Sequence, residues 1–191
     1  MTWMPVFKIG VWNAWMPMLV ILLVSLTPFL LDMLKGDHEF SSRMGNAPAE
    51  GSARIRNTLS SILLAALLLY SIFLPLKLRS AWGYAGGFIW LVGLIFCLSA
   101  LITAAVTPAG QVFTRGAYRF SRHPLYVSLA LVLLGVGIGA ASWLFLLLSI
   151  IYIGLMFSFC SAEERECREL FGDAYDEYVQ HTPRWLGWPR V

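Results

Sequence analysis

The sequence predicts an all-α integral membrane protein with about five transmembrane helices. Of its 191 residues, 58% are hydrophobic and only 13% are charged, whereas about a quarter of a soluble domain is charged. Several uncharged stretches are also close to, or longer than, the ~20 residues that a helix needs to cross a bilayer. Helices are the expected form of such stretches, because in lipid the backbone polar groups have to be satisfied within the protein.

The uncharged stretches define the spans in order. The first three are predicted over residues 12–31, 59–76 and 86–106. Pro17 and Pro28 lie inside the first of them, which lipid-embedded helices tolerate. Residues 125–162 are 38 residues without a charge, too long for one crossing at ~1.5 Å per residue. They predict a helical hairpin that turns near residues 137–142, with a first arm of about 14 residues that is short for a full crossing.

Basic residues are distributed unevenly between the two sides of this arrangement. Lys8, Lys77 and Arg79 fall on one side. The other 11 of the 14 lysines and arginines fall on the opposite side, at positions 35, 43, 54, 56, 115, 119, 122, 165, 168, 184 and 190. Because positive residues favour the cytosolic side, the C-terminus is predicted to be cytosolic, in a plasma, inner or endoplasmic reticulum membrane. The net charge of +3 then reflects topology and contact with anionic membrane lipids, and no nucleic-acid partner is expected.

The chain is expected to divide at the end of the third span. Residues 1–106 hold three N-terminal transmembrane helices and a polar cytosolic loop at residues 36–57. Residues 107–191 hold a loop, the hairpin and a charged, cytosolic C-terminal helix. No helix breaker follows the hairpin before Gly172, so its second arm and the tail are expected to form one continuous helix.

Two further features of the sequence point to packing and not to chemistry. Gly135 and Gly139 lie in "GVGIG" within an apolar run that no strand precedes, which predicts a small-residue packing face or the hairpin turn. The three cysteines, Cys97, Cys160 and Cys167, form neither a disulfide framework nor a metal-binding spacing. No metal site is expected.

Polar chemistry concentrates at two places, "RHP" and "EE". Proline suits the first turn of a helix, so Pro124 is expected to begin the fourth helix and to place Arg122 and His123 at the membrane surface. Glu163 and Glu164 lie where the last helix leaves lipid. Because the hairpin returns the chain to the same side, the two places are predicted to meet although about 40 residues separate them.

Each of these features has a structural alternative. Arg115 and Arg119 could simply extend to lipid phosphates or set the topology. The paired glutamates could belong to the solvated face of a helix leaving the membrane. A single histidine such as His123 is more often structural than functional.

In order and spacing, these residues resemble the isoprenylcysteine carboxyl methyltransferase family, which is related to the phospholipid methyltransferases. The resemblance covers residues 107–186 and consists of "GAYRFSRHPLY", an uncharged hairpin, "EE" and "LFGDAYDEYVQHTPRWL". Ala117 and Gly110 depart from it, since the family commonly has a proline and a histidine there. The third span ends in "ITAAVTPAG", without the amide and histidine residues of isoprenylcysteine enzymes, which argues for a different substrate.

The resemblance implies a membrane-embedded enzyme that uses S-adenosylmethionine without a Rossmann domain. The cofactor-binding residues that it implies are Tyr118, Arg122, His123, Pro124, Tyr126, Glu163 and Glu164. Among these, the two glutamates would meet the ribose hydroxyls or the ammonium of the methionine moiety. Arg184 would lie near the reactive group of the substrate, and Arg184 and Glu163 are the implied catalytic residues.

The expected methyl acceptor is a lipid, a prenylated molecule or another lipophilic small molecule that enters from the bilayer, because the site would open at the membrane surface. The resemblance is strongest to isoprenylcysteine carboxyl O-methyltransferases. An ionised carboxylate needs only an orienting cation such as Arg184, whereas an amine or thiol must lose a proton to Glu163, Glu164 or His123. Phospholipid N-methyl transfer and a non-catalytic membrane partner protein are the alternatives.

Overall fold

The computed structural model describes residues 8–22, 26, 51–108 and 110–190. The helices assigned from residue 51 onward are α1 (Ser52–Ile72), α2 (Ala81–Val106), α3 (Pro124–Gly139), α4 (Trp143–Phe157), α5 (Cys160–Phe171) and α6 (Asp173–His181). A 3-10 helix, Gly116–Arg119, lies between α2 and α3, and residues 15–22 are also helical. The described residues contain no strand beyond an isolated bridge between Asn13 and Pro75. The prediction of an all-α chain is confirmed for this part.

Three described helical segments are long and apolar enough to cross a membrane: Arg54–Ile72, Ala81–Val106 and Trp143–Phe171. α3 is apolar too, but its 16 residues extend only about 24 Å at ~1.5 Å per residue. The sequence predicted this short first arm. Residues 23–25 and 27–31 of the first predicted span lie outside the described residues, so a total of five spans stays a prediction.

The start of α1 corrects the predicted polar loop at residues 36–57. Residues 52–57 are helical, so Arg54 and Arg56 lie on the first turns of α1 and not in a loop. The earlier part of that loop, residues 36–50, lies outside the described residues.

The end of α1 also differs from the prediction, which carried the span to residue 76. The helix ends at Ile72, because the chain that follows bonds to the backbone of the N-terminal segment. Ala14 N–H donates to Leu74 O at 2.8 Å, and Leu76 N–H donates to Trp12 O at 3.1 Å.

α2 and α3 are antiparallel and touch at their glycines. A Cβ atom on Gly86 would lie 2.3 Å from Gly139 N and 2.5 Å from Gly135 O. On the facing helix, a Cβ atom on Gly135 would lie 2.6 Å from Trp90 N. Only glycine allows backbones to approach this closely, as at small-residue contacts between membrane helices. The predicted small-residue packing face is therefore present.

The hairpin turns where the sequence predicted. α3 ends at Gly139 and α4 begins at Trp143. Ala141 adopts a positive φ of 52° in the turn, and the Ser142 hydroxyl accepts a hydrogen bond from Phe145 N–H at 3.3 Å. This side-chain cap satisfies one of the free amides at the start of α4.

The predicted continuous helix from the hairpin to Gly172 needs a correction at one turn. The helical path tightens at Ser158 and Phe159, whose amides donate to Leu155 O and Met156 O at 3.1 Å each. This is the i→i−3 pattern of a 3-10 turn. The Ser158 hydroxyl also donates to Leu155 O at 2.6 Å. α5 then runs to Gly172, whose φ of 53° ends it.

α2 turns a long apolar face outward. Phe88, Ile95 and Ile102 are 70%, 60% and 61% exposed, and their seven-residue spacing places them on one side of the helix. Soluble monomers rarely leave so continuous an apolar surface in water. Such a face is suited to the hydrocarbon of a bilayer.

Candidate functional site

Five charged or titratable side chains meet where the α3–α4 hairpin returns to the tail. Glu164 is buried on α5, and three nitrogens lie 3.1 Å from its Oε1: Arg122 Nη1, His123 Nε2 and Arg184 Nε. Glu163 Oε2 lies 3.4 Å from His123 Nδ1. These residues, Arg122, His123, Glu163, Glu164 and Arg184, form what is called the rim cluster below. The hairpin therefore brings "RHP" and the paired glutamates together, as predicted.

The two glutamates of the rim cluster differ in access. Glu164 is 7% exposed and is surrounded by the side chains of Arg122, His123 and Arg184. The Glu163 side chain is 41% exposed and accepts a hydrogen bond from the Tyr126 hydroxyl. His123 lies between them, with Nε2 toward Glu164 and Nδ1 toward Glu163. Glu163 is therefore the carboxylate that a ligand can reach.

The loop that carries His123 is anchored on the end of α2. Gly116 has a φ of 56°, and a Cβ atom there would lie 2.6 Å from Thr103 Oγ1 and 2.7 Å from Ser99 Oγ. Both the left-handed backbone and the close approach require glycine. The next residue, Ala117, donates its N–H to Ser99 Oγ at 3.0 Å. The loop therefore leaves α2 in a defined direction.

The tail after α6 runs alongside this loop and delivers Arg184 to the rim cluster. The hydrogen bonds between tail and loop are Arg122 N–H to Pro183 O at 3.0 Å, Ser121 Oγ to Arg184 O at 3.3 Å and Gly187 N–H to Phe120 O at 3.0 Å. The Arg184 side chain is 33% exposed, and its Nη2 donates to Ser161 Oγ at 2.7 Å. Arg184 is thus held at both its backbone and its guanidinium, yet is open to a ligand.

Tyr178 on α6 supports the loop from the other side. Its hydroxyl donates to Tyr118 O at 2.8 Å. Burial, and then the nearby Tyr118, raises the pKa of the Tyr178 phenol well above its usual range. Burial, and then the charge of Glu163, likewise raises the pKa of Tyr118. Both phenols therefore stay protonated at neutral pH, and Tyr178 remains a donor.

Two of the predicted site residues do not contribute side-chain contacts to the rim cluster. The Tyr118 ring packs in a separate apolar cluster, 5.2 Å from the Phe113 ring, and contacts Ala100 and Ala117 there. Pro124 is fully buried at the first position of α3. The structure brings together the other six predicted site residues, which are Arg122, His123, Tyr126, Glu163, Glu164 and Arg184.

Sequence reasoning did not place Ser161 or Trp185 at this site. Ser161 accepts from Arg184, and the Trp185 ring stacks on Phe157 at 4.1 Å and lies 6.0 Å from the His123 ring. The only available signal was proximity in sequence, since Ser161 precedes "EE" and Trp185 follows Arg184. Tyr178 was visible within the quoted tail motif but had no role assigned to it.

The rim cluster suits the polar groups of S-adenosylmethionine. The buried Nε–H groups of Arg122 and Arg184 have no aligned hydrogen-bond acceptor among the described residues, although Arg184 Nε is close to Glu164 as an ion pair. A buried donor without an acceptor costs free energy, and a carboxylate would satisfy it. The accessible carboxylate of Glu163 complements an ammonium or a hydroxyl. The residues present therefore fit this cofactor.

The helices are apolar and turn hydrophobic faces outward, and at one end they meet a compact cluster of carboxylate, imidazole and guanidinium groups. These features define a membrane protein with a polar site at its surface. Among the described residues, no group of three or more His, Cys, Asp or Glu side chains is arranged to hold a metal ion. The site is thus one of hydrogen-bonding and charged groups.

The chain belongs to the phospholipid methyltransferase family, whose profile matches residues 59–174, more than half of the chain. This is also the family of the isoprenylcysteine carboxyl methyltransferases, so the resemblance found in the sequence is confirmed. Comparisons with curated proteins and with solved structures give no significant match. The matched segment includes "RHP" and both glutamates, whereas Arg184 lies beyond it.

Proposed function

We propose that this protein is a membrane-embedded, S-adenosylmethionine-dependent methyltransferase whose acceptor is the amine of a lipid head group. Membership of a membrane methyltransferase family supports the reaction class. The observation that carries the proposal is the rim cluster, in which a partly exposed carboxylate, Glu163, lies beside His123 and the two arginines that pair with Glu164.

In this proposal the rim cluster holds the cofactor. Arg122, with its unsatisfied Nε–H, binds the carboxylate of the methionine moiety, which leaves Glu163 for the acceptor. Glu164 keeps Arg122, His123 and Arg184 in place through its ion pairs. Bound there, S-adenosylmethionine would supply a methyl group on a sulfonium, whose C–S bond breaks as the new bond to the acceptor forms. The protein then has to align the acceptor and exclude water.

An amine acceptor sets a further task, because an ammonium has no lone pair for attack. Glu163 is placed to take its proton, since the carboxylate is exposed and is oriented by the Tyr126 hydroxyl. Transfer would leave a methylated ammonium, S-adenosylhomocysteine with its sulfur as a neutral thioether, and a proton on Glu163, which passes to water. The outward apolar faces of the helices let a lipid approach from the bilayer.

A carboxylate acceptor, as in isoprenylcysteine carboxyl O-methyltransferases, is the second candidate. The observation that favours it is the one-third exposed guanidinium of Arg184, which is fixed by Ser161 and can orient an ionised carboxylate. No proton transfer is needed there. Replacing Glu163 would then spare the chemical step, whereas Arg184→Gln would raise the KM for the acceptor.

Binding of S-adenosylhomocysteine, measured by calorimetry on protein in lipid nanodiscs, tests the proposal. We expect micromolar binding by the wild type, loss in His123→Ala and Arg122→Gln, and no change in Glu169→Gln, an exposed position further along α5. Circular dichroism checks that each variant stays helical. Absence of binding by folded wild-type protein contradicts the enzyme proposal and favours a non-catalytic partner protein.

The acceptor is then identified with labelled methyl donor and two lipids, phosphatidylethanolamine and a prenylated cysteine. Methylation of the first, abolished by Glu163→Gln, supports the amine acceptor. Methylation of the prenylated cysteine alone, weakened by Arg184→Gln, would support the carboxylate acceptor instead.

A further inference from the structure

Two buried polar groups at the start of α1 lack hydrogen-bond partners among the described residues: Arg56 Nε and Ser60 Oγ. They are four residues apart, so they lie on the same face of the helix. Ser60 is only 5% exposed. A buried donor left without an acceptor costs free energy, so this pair is suited to an acceptor that the protein itself does not provide.

Neighbouring hydroxyls on α1 show that Ser60 is an exception. Thr58 and Ser61 each donate to the carbonyl four residues earlier, at 3.0 Å. That local bond is the usual way for such a side chain to be satisfied within a helix. The Ser60 hydroxyl, which is far less exposed, does not make it.

Arg56 also connects α1 to the rim cluster. Its guanidinium lies over the Phe159 ring, 5.4 Å from the centroid, and Phe159 is where α4 passes into α5. Glu163 follows one helical turn later, with its N–H bonded to Phe159 O at 3.2 Å. Arg56 is therefore at the same end of the helices as Glu163, which follows its contact residue Phe159 by about one turn, and Ser60 lies one turn further along α1.

We infer that Arg56 and Ser60 form the binding site for the phosphate of the phospholipid acceptor. Arginine is well suited to phosphate, because its planar guanidinium donates several hydrogen bonds in a fixed geometry. In an ethanolamine head group a short carbon linker separates the phosphate from the amine, which matches a cation near Phe159 and a proton acceptor at Glu163. The lipid would approach along α1 and α4. This inference rests on the proposed function, because it assigns the acceptor of the same site.

Native mass spectrometry of the purified protein with added phosphatidylethanolamine tests the inference without methyl transfer. We expect lipid retention to fall about tenfold or more in Arg56→Gln and about fivefold in Ser60→Ala. The matched controls are Arg54→Gln, an exposed arginine on the same turn, and Ser61→Ala, whose hydroxyl donates to Asn57 O within α1. Both controls should retain lipid as the wild type does.

Sphingosine, a long-chain amine without a phosphate, is the comparison ligand, and its retention should be the same in Arg56→Gln and the wild type. Equal phosphatidylethanolamine retention by Arg56→Gln and the wild type would overturn the phosphate site. So would an equal loss in Arg54→Gln, which would indicate a general attraction of lipid phosphate to positive charge.

Kinetics separate this inference from the proposed function. If the wild type methylates phosphatidylethanolamine, Arg56→Gln should raise the KM for that lipid with little change in kcat, while S-adenosylhomocysteine binding stays intact. If the wild type binds no cofactor, the proposed function fails. Retention of phosphatidylethanolamine that depends on Arg56 would then still establish the phosphate site, as a lipid site of a non-catalytic protein.

Discussion

At the scale of single residues, Glu164 organises the site without being accessible itself. Its carboxylate is buried among Arg122, His123 and Arg184, which come from the loop and from the tail. A buried carboxylate is tolerated only when it is paired and hydrogen-bonded. Glu164 thus adds ion pairs to the hydrogen bonds that join the loop to the tail.

Replacing Glu164 by glutamine should therefore destabilise the protein and not merely weaken a contact. The cations packed around this buried position, Arg122 above all, would lose their counter-charge, which costs about 3 kcal/mol or more. Thermal unfolding of the protein in detergent should show a clear fall in Tm for Glu164→Gln and none for Glu169→Gln. An unchanged Tm for Glu164→Gln would contradict the organising role.

Tyr178 should make the stability of the folded protein fall as the pH rises through the alkaline range. Burial raises the pKa of its phenol in the folded protein above the value of about 10 expected when unfolded. The corresponding stabilisation is fully present below about pH 10 and is lost as the pH rises toward the folded pKa. Tyr178→Phe should abolish this part of the pH dependence.

The measurement is Tm of the wild type and of Tyr178→Phe between about pH 8 and pH 11. At pH 8 the variant should be less stable by about 1–3 kcal/mol, because Tyr118 O loses its donor. The difference between the two proteins should narrow toward the alkaline end. A constant difference across this range would show that the phenol does not ionise differently on folding.

At the scale of helices, the contact between α2 and α3 depends on glycine. Gly86 and Gly135 allow backbone approach closer than any side chain permits. This contact lies near the start of α2 and the end of α3, and because the helices run antiparallel from it, the start of α3, with His123, comes to lie beside the end of α2 where the loop is anchored. The position of the site is consequently set by a contact within the helical region.

Gly135→Leu should therefore disrupt both stability and cofactor binding. Overpacking costs about 1–3 kcal/mol or more, and here the backbones have to separate. Gly87→Leu is the matched control, since a Cβ atom at Gly87 would meet nothing within 4 Å. Tm and S-adenosylhomocysteine affinity should fall for Gly135→Leu alone. Equal effects at both positions would show that added bulk, and not this contact, is responsible.

At the scale of the whole molecule, α2 is long and apolar enough to place its two ends on opposite sides of a membrane. The rim cluster and the start of α1 share one side, because Arg56 contacts Phe159. Lys77 and Arg79 lie at the other end, where Lys77 N–H bonds to Gly139 O at 2.9 Å. The distribution of basic residues predicts that the first side is cytosolic.

Cysteine accessibility checks this topology. The native cysteines Cys97, Cys160 and Cys167 would first be replaced by serine or alanine. A single cysteine would then be introduced at the exposed position Arg79 or Arg190, and intact cells would be treated with an impermeant maleimide. Arg79→Cys should react in intact cells, and Arg190→Cys only after lysis. The reverse pattern would reverse the orientation of the site.

The membrane class, the hairpin and the meeting of "RHP" with "EE" could all be predicted from the sequence. Hydrophobic length determines a span because lipid offers the backbone no hydrogen bonds, and charges mark where it ends. A hairpin with both ends polar must place those ends on one side. The helical boundaries at Ser52 and Ile72 were less predictable, since backbone bonds to the N-terminal segment shorten α1 at its end.

Side-chain access was decided only by the tertiary structure. The sequence treats Glu163 and Glu164 as equal neighbours, but adjacent residues on a helix point in different directions, so one is buried against the loop and tail while the other is half exposed. The same reason separates Ser60 from Ser61 on α1. By itself the sequence determined the helical membrane fold and the meeting of the polar segments, because both follow from chain length and hydrophobicity. Which polar atoms remain open to a ligand depended on how the helices, the loop and the tail pack together, because burial is a property of the assembled surfaces.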